Sequence, residues 1–252
     1  MKTEPQFDLD ALNADFESAA ATDILNWTFR QFPAGDVAFS TSFGAEGMTL
    51  MHMLVTLGFK PRMFTIDTGR NFQETYDVWN EAVERLGVEI ESYSPDAGDL
   101  QALLKGHGPN LFYESVENRK RCCHVRKVLP LKCALRGASV WLAPLRREQG
   151  ESRRDIRIVD WNETHQLYKI CPMANWLEEN VWTYIRSNDV PYNKLYDRGF
   201  MTIGCAPCTR PVRPGEGVRS GRWWWEPDEA KECGIHIEDG KVTRKTKLNF
   251  QI

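Results

Sequence analysis

The sequence predicts an α/β fold on a doubly wound, mostly parallel sheet, and three observations predict it. Short apolar runs recur at residues 37–40, 62–66, 88–93 and 139–142. Stretches with helical periodicity separate them, and glycine or proline punctuates the junctions. Strands alternating with helices need crossover connections, which are right-handed and cover both faces of a parallel sheet.

Taken in order, residues 8–31 carry Leu9, Leu12, Phe16, Ile24 and Leu25 at roughly helical spacing, and Pro33-Ala34-Gly35 ends that segment. The first strand, 37–40, runs into the polar turn 41–44 and then an apolar helix over 48–57, stopped by Gly58. The second strand, 62–66, stops at Asp67-Thr68-Gly69; a helix over 72–86 ends at Gly87. Residues 88–93 read as a third strand, 100–105 as a short helix, 118–135 as mostly helical with a kink at Pro130, and 139–142 as a fourth strand. Beyond residue 150 the alternation fades. Two short strands, 155–160 and 166–170, and one helix, 177–187, precede a stretch rich in proline and glycine. The chain reads as a single domain over 1–252, with an α/β core over 1–210 and an irregular, mobile C-terminal segment over 211–252. Ligands of such sheets bind at the carboxyl ends of the strands. The loops 40–44, 67–70 and 143–154 are expected to converge there.

With 252 residues, 42% of them hydrophobic, the chain is long enough to bury a substantial core. A formal net charge of −3 gives no global basic field for nucleic acid or an anionic membrane. No run approaches the ~18 apolar residues of a membrane span, and the acidic N-terminus lacks the order of a signal peptide. A cytoplasmic protein is expected.

Seven cysteines are many for such a chain. Cys122-Cys123 lies on a predicted helix and Cys205-Ala206-Pro207-Cys208 in a loop, so two thiolate pairs can form a four-sulfur site. Zinc and iron–sulfur clusters both accept four thiolates. Adjacent cysteines reach one small ion awkwardly and suit the separate irons of a cluster better, whereas inert burial accounts poorly for two pairs. Cys133 and Cys171 are assigned to packing. In Lys231-Glu232-Cys233-Gly234-Ile235-His236, Gly234 frees the backbone beside the thiol and His236 can orient or activate it. A plain surface cysteine is the other reading. Arginines supply anion-binding forks: Arg126 with Lys127 after the cysteine pair, Arg146 to Arg154 after a strand, and Arg219 and Arg222 before Trp223-Trp224-Trp225. A charge run is otherwise a solvated face.

These pieces in this order resemble the sulfonucleotide reductases, specifically the iron–sulfur type acting on adenosine 5′-phosphosulfate. The resemblance rests on residues 39–46 (FSTSFGAE), 66–76 (IDTGRNFQETY), 122–131 (CCHVRKVLPL), 145–153 (LRREQGESR), 190–210 (VPYNKLYDRGFMTIGCAPCTR), 215–226 (GEGVRSGRWWWE) and 231–236 (KECGIH). It implies an adenine-nucleotide alpha hydrolase-like fold and a 4Fe-4S cluster held by Cys122, Cys123, Cys205 and Cys208. It implies Cys233 as nucleophile, assisted by His236, with Lys127 between cluster and substrate. Ser40, Thr41, Ser42, Phe43, Gly44, Asp67, Thr68, Gly69, Arg146, Gln149 and Arg153 would frame the nucleotide, and Arg219 and Arg222 would close over it. Reduced thioredoxin or glutaredoxin would supply electrons; homo-oligomerisation is left open. The 3′-phosphorylated nucleotide as substrate, or a non-enzymatic iron–sulfur module, are the alternatives. Gly47, Pro144 and Gly150 depart from the family pattern, all in the expected nucleotide crevice.

Overall fold

The computed structural model describes residues 5–227 together with 231, 234 and 235. Six strands form one sheet: β1 (Val37–Thr41), β2 (Arg62–Ile66), β3 (Glu91–Tyr93), β4 (Val140–Leu142), β5 (Val159–Asn162) and β6 (Leu167–Ile170), in the order β3-β2-β1-β4-β6-β5. All pairings are parallel except the β5–β6 hairpin. The chain leaves β1 for β2 and β3, then returns to lay β4 on the other side of β1. That reversal opens a crevice outside the carboxyl ends of β1 and β4, where sheets of this kind bind ligands. Val37, Ala38, Phe39, Val140 and Leu142 are fully buried, as strands covered on both faces require.

The helices are α1 (Leu9–Phe16), α2 (Ala21–Gln31), α3 (Ala45–Thr56), α4 (Gln73–Leu86), α5 (Ala97–Lys105), α6 (Val116–Cys123), α7 (Leu129–Ala134) and α8 (Glu178–Ser187). The single helix expected over 8–31 is two, because the Asp8 carboxylate caps a short α1 and the chain turns before Ala21. The strand expected over 155–160 starts later, at Val159; Asn13 binds the β5 backbone on both sides, donating to Val159 O and accepting from Ile158 N and Val159 N.

The helix expected over 118–135 carries a π-helical turn, His124–Val128, between α6 and α7. Pro130 lacks an N–H and its ring crowds the carbonyl four residues back, so the α ladder cannot run through unchanged. The wide turn accommodates it; such turns are frequent at functional sites. Here it carries Arg126 and Lys127. No helix among the described residues is long and apolar enough to cross a membrane.

Candidate active site

The crevice at the β1/β4 reversal is a cleft of about 320 Å³, within the range of small-molecule sites. Its floor is the first loop: Ser40, Thr41, Ser42 and Gly44 line it, and Trp141 Nε1 on β4 donates to Ser40 Oγ at 2.7 Å. Phe43 does not line it. Its ring is buried against Trp79, at 5.4 Å between centroids, and its backbone takes φ +57° while its N–H bonds Thr41 Oγ1. Phe43 shapes the loop and leaves the cleft to its neighbours. The first amide of α3 is likewise taken, since Ala45 N donates to Tyr196 Oη at 3.0 Å. Burial, and then the Glu46 charge, pushes the Tyr196 hydroxyl well up, so it stays protonated.

In the second loop only Thr68 of the expected trio faces the cleft, joined by Asn71. Asp67 instead accepts from Gly69 N, Asn71 Nδ2 and Tyr76 Oη, and Gly69 turns at φ +67°. These two residues build the turn that presents Thr68. Tyr76 is pushed to about 12, by burial first and by the Asp67 bond second.

The arginine loop divides in two. Arg146 lines the cleft, but its guanidinium is spent on Glu46 (3.0 and 2.9 Å), Glu148 (2.9 Å) and the Trp176 carbonyl (3.2 Å). Two carboxylates cancel its charge, so it braces the wall instead of offering an anion site. Gln149 accepts from Arg146 N and from Arg153 Nη1, which orients Arg153 along the cleft. Arg219 and Arg222 close the far side. Arg222 is buried at 7% exposure, and its Nε finds no hydrogen-bond partner. A buried guanidinium with an unsatisfied donor facing a cleft is poised for an anion.

Two of the three departures from pattern, Gly47 and Pro144, are neighbours, whereas Gly150 lies against Arg219. A Cβ on Gly47 would lie 2.7 Å from Thr41 Oγ1 and 3.9 Å from the Pro144 ring. A side chain at 47 would crowd the Thr41 hydroxyl of the first loop.

Behind the cleft lies a second, smaller cavity lined by Cys122, Cys123, Cys205 and Cys208 with Arg70, Arg119, Arg126 and Lys127. Of the described residues, Lys127 alone lines both cavities. All four thiols are buried. Burial pushes the Cys122 thiol up, and burial with the neighbouring Cys205 charge pushes Cys208 to about 12. Burial opposes ionisation of Cys205 too, but Lys127, the Thr68 hydroxyl at 3.3 Å, Arg222 and Arg126 outweigh it and hold this thiol below its ordinary value. The buried Nε of Arg126, on the wall of this cavity, and the indole N–H of Trp223, packed in one cluster with the four cysteines, lack partners. Four sulfurs, a cationic wall and these unsatisfied N–H donors suit an anionic metal–sulfur group. Among the described residues no three of His, Cys, Asp or Glu are grouped as a single metal ion would need. The remaining cysteines separate. Cys171 is buried in the main core, whereas Cys133, expected to pack, is exposed on α7.

Cys233 and His236 lie outside the described residues. Their neighbours are described: Lys231 O accepts from Arg219 Nη2 at 2.9 Å, Gly234 turns at φ +87°, and Ile235 lines the cleft. Sequence reasoning missed Trp141, Tyr196, Thr202 and Ile203 as cleft residues, and Arg119 and Glu226 behind the cysteines. Arg119 was recoverable, because it lies one helical turn before Cys123 on α6. Glu226 carried no such signal.

Residues 36–211 match the family described as "Phosphoadenosine phosphosulfate reductase domain". The chain is 44% identical over 201 residues to an adenosine 5′-phosphosulfate reductase of Burkholderia cepacia, covering 80% of each chain. It is 41% identical over 235 residues to the enzyme of that name from Allochromatium vinosum, covering 93% of this chain and 90% of the relative. Among solved structures, a phosphoadenylyl-sulfate reductase from Candida auris superposes with a TM-score of 0.71 at 25% identity, over 83% of this chain and 98% of the other.

Proposed function

The chain belongs to the phosphoadenosine phosphosulfate reductase domain family, and from that membership we propose that it reduces adenosine 5′-phosphosulfate to sulfite and AMP in sulfate assimilation. The observation that carries the reading is the position of Lys127, on the wall shared by an anion-binding cleft and a four-cysteine cavity.

Cys122, Cys123, Cys205 and Cys208 would hold a 4Fe-4S cluster. When bound, the cluster supplies local charge that helps position the sulfate, since a dithiol can furnish both electrons of the reduction. Thr68, Gln149 and the first loop orient the nucleotide. Arg153, Arg219, Arg222 and Lys127 neutralise its phosphate and sulfate oxygens. The thiolate of Cys233 attacks the sulfate sulfur; the S–O bond to the nucleotide breaks and AMP leaves with that electron pair. The product is S-sulfocysteine. A thiolate of reduced thioredoxin then attacks Sγ of Cys233, the S–S bond to the sulfonate breaks, and sulfite departs. The second thioredoxin thiol attacks the mixed disulfide, restoring Cys233 and leaving thioredoxin oxidised by two electrons. Of the residues flanking Cys233, Ile235 lines the cleft and the Lys231 carbonyl is held by the cleft residue Arg219, and this supports its role as nucleophile.

Anaerobically purified protein should show iron, acid-labile sulfide and a visible absorption band. It should release sulfite from adenosine 5′-phosphosulfate with thioredoxin, faster than from the 3′-phosphorylated nucleotide. Equal or better turnover of the latter would overturn the substrate assignment, and turnover by Cys233→Ser would overturn the mechanism.

A further inference from the structure

Gly204 precedes the first cysteine of the Cys205–Cys208 pair, and it is absent from the residues with positive φ. Its backbone conformation therefore does not call for glycine. Its surroundings do. A Cβ built there would lie 2.5 Å from Cζ and 2.7 Å from Nη1 of Arg222. The guanidinium lies flat against the backbone at a spot that any side chain would fill.

A second contact holds the same group. The Arg222 guanidinium lies over the Trp223 ring, 4.5 Å from its centroid. Arg119 lies over that ring as well, at 4.6 Å, and Glu226 neutralises Arg119. Cation–π contact of this kind is strongest where the groups are desolvated, as here. The Trp223 backbone is tied to the cysteine loop, donating from N to Cys208 O at 3.1 Å. Arg222 thus has no carboxylate partner among the described residues, yet it is fixed by a glycine notch and an aromatic plate.

We propose that Gly204 is a positioning residue for anion binding: its missing side chain is the seat that directs the Arg222 guanidinium into the nucleotide cleft. The inference rests on the reading of that cleft as the adenosine 5′-phosphosulfate site. The colliding atoms of Arg222 are the far end of a flexible side chain, so an added methyl displaces the guanidinium and spares the backbone. Gly221 makes the contrast, because a Cβ there would strike the Arg210 carbonyl of the main chain.

The test is a double-mutant cycle on adenosine 5′-phosphosulfate affinity, measured by calorimetry in a Cys233→Ser background where sulfur transfer stops. Gly204→Ala should weaken binding about tenfold, the scale of one lost charge-assisted bond. Its iron content and unfolding midpoint should match the parent. Added to Arg222→Ala, it should cause no further loss, because the group it acts through is gone. Unchanged affinity in Gly204→Ala, or the same loss in both backgrounds, overturns the inference while leaving the substrate reading intact. So does loss of iron or of cooperative unfolding, since the displacement is confined to one side chain. A Cys233→Ser parent that binds no adenosine 5′-phosphosulfate overturns the substrate reading and this inference with it.

Discussion

The Arg119 guanidinium is gripped by both oxygens of the Glu226 carboxylate, from Nε at 2.9 and 3.2 Å and from Nη2 at 2.7 Å, and neither side chain reaches solvent. The pair joins α6 to a segment more than a hundred residues later in the chain. It closes the back of the cysteine cavity, where Arg119 also bonds Cys123. Burial opposes the charge on Arg119, but these partners outweigh it and raise its pKa.

Breaking such a pair by removing one partner strands a charge in the interior, at a cost of roughly 3–5 kcal/mol. Glu226→Ala should therefore lower stability by about 3 kcal/mol in urea unfolding. It should also lower iron retention, because Arg119 is left to compete for the Cys123 thiolate. A change below about 1 kcal/mol, the scale of an exposed pair, would show that the pair is not structural.

The two cysteine classes should separate cleanly. Cys205→Ser should lose iron, labile sulfide and sulfite production together, since its sulfur is one wall of the cavity. Cys133→Ser, on an exposed position of α7, should change stability by no more than about 0.5 kcal/mol and keep full iron. An iron-free but active Cys205→Ser protein would contradict the cluster's role.

The fold was legible because it is written in local pattern. Apolar runs and helix stops located the strands of the parallel sheet within a few residues. The β5 boundary was not, because Asn13, from the far end of the sequence, sets it. The site shows the same division. Paired cysteines and arginines announce themselves by type and spacing. Which of them is free to act depends on long-range partners: Arg146 and Arg222 look alike in the sequence, yet one is neutralised by Glu46 and Glu148 while the other has an orphaned Nε. Phe43 and Asp67 sit in the right loops, but Phe43 faces the core and Asp67 is taken up by Gly69, Asn71 and Tyr76, a matter of side-chain direction that spacing cannot encode.

Acid should loosen the segment that leads to Arg219. Glu216 accepts from both Nη atoms of Arg210 and from Arg213 N, and these bonds hold its carboxyl down at about 2 from an ordinary 4.5. A depressed carboxyl contributes stability that is fully present above the ordinary value and is lost as pH falls toward the folded one. The stability difference between the wild type and Glu216→Gln should thus be constant above pH 4.5 and shrink as pH falls from there toward 2. Urea unfolding of both proteins across that range measures it. A difference that grows on acidification would reverse the assigned sign. The group is solvent-exposed, so salt should diminish the difference at every pH.

Gly150 offers the most direct handle on the segment that bears Cys233. It sits at φ +155°, ψ +166°, a region open essentially to glycine alone. A Cβ there would lie 2.9 Å from Cδ of Arg219, whose Nη2 holds the Lys231 carbonyl two residues before Cys233. Gly150→Ala should therefore act twice. Backbone strain should cost roughly 1–3 kcal/mol of stability, seen in urea unfolding. Displacement of Arg219 should release Lys231 and lower kcat/KM by about tenfold or more, the scale of a lost charge-assisted bond. Arg219→Met leaves residue 150 unstrained but removes both the clasp on Lys231 and a cation of the cleft. It should therefore keep near wild-type stability while losing at least as much kcat/KM as Gly150→Ala. If Gly150→Ala is destabilised but turns over normally, the contact between Arg219 and Lys231 does not govern how the nucleophile is presented.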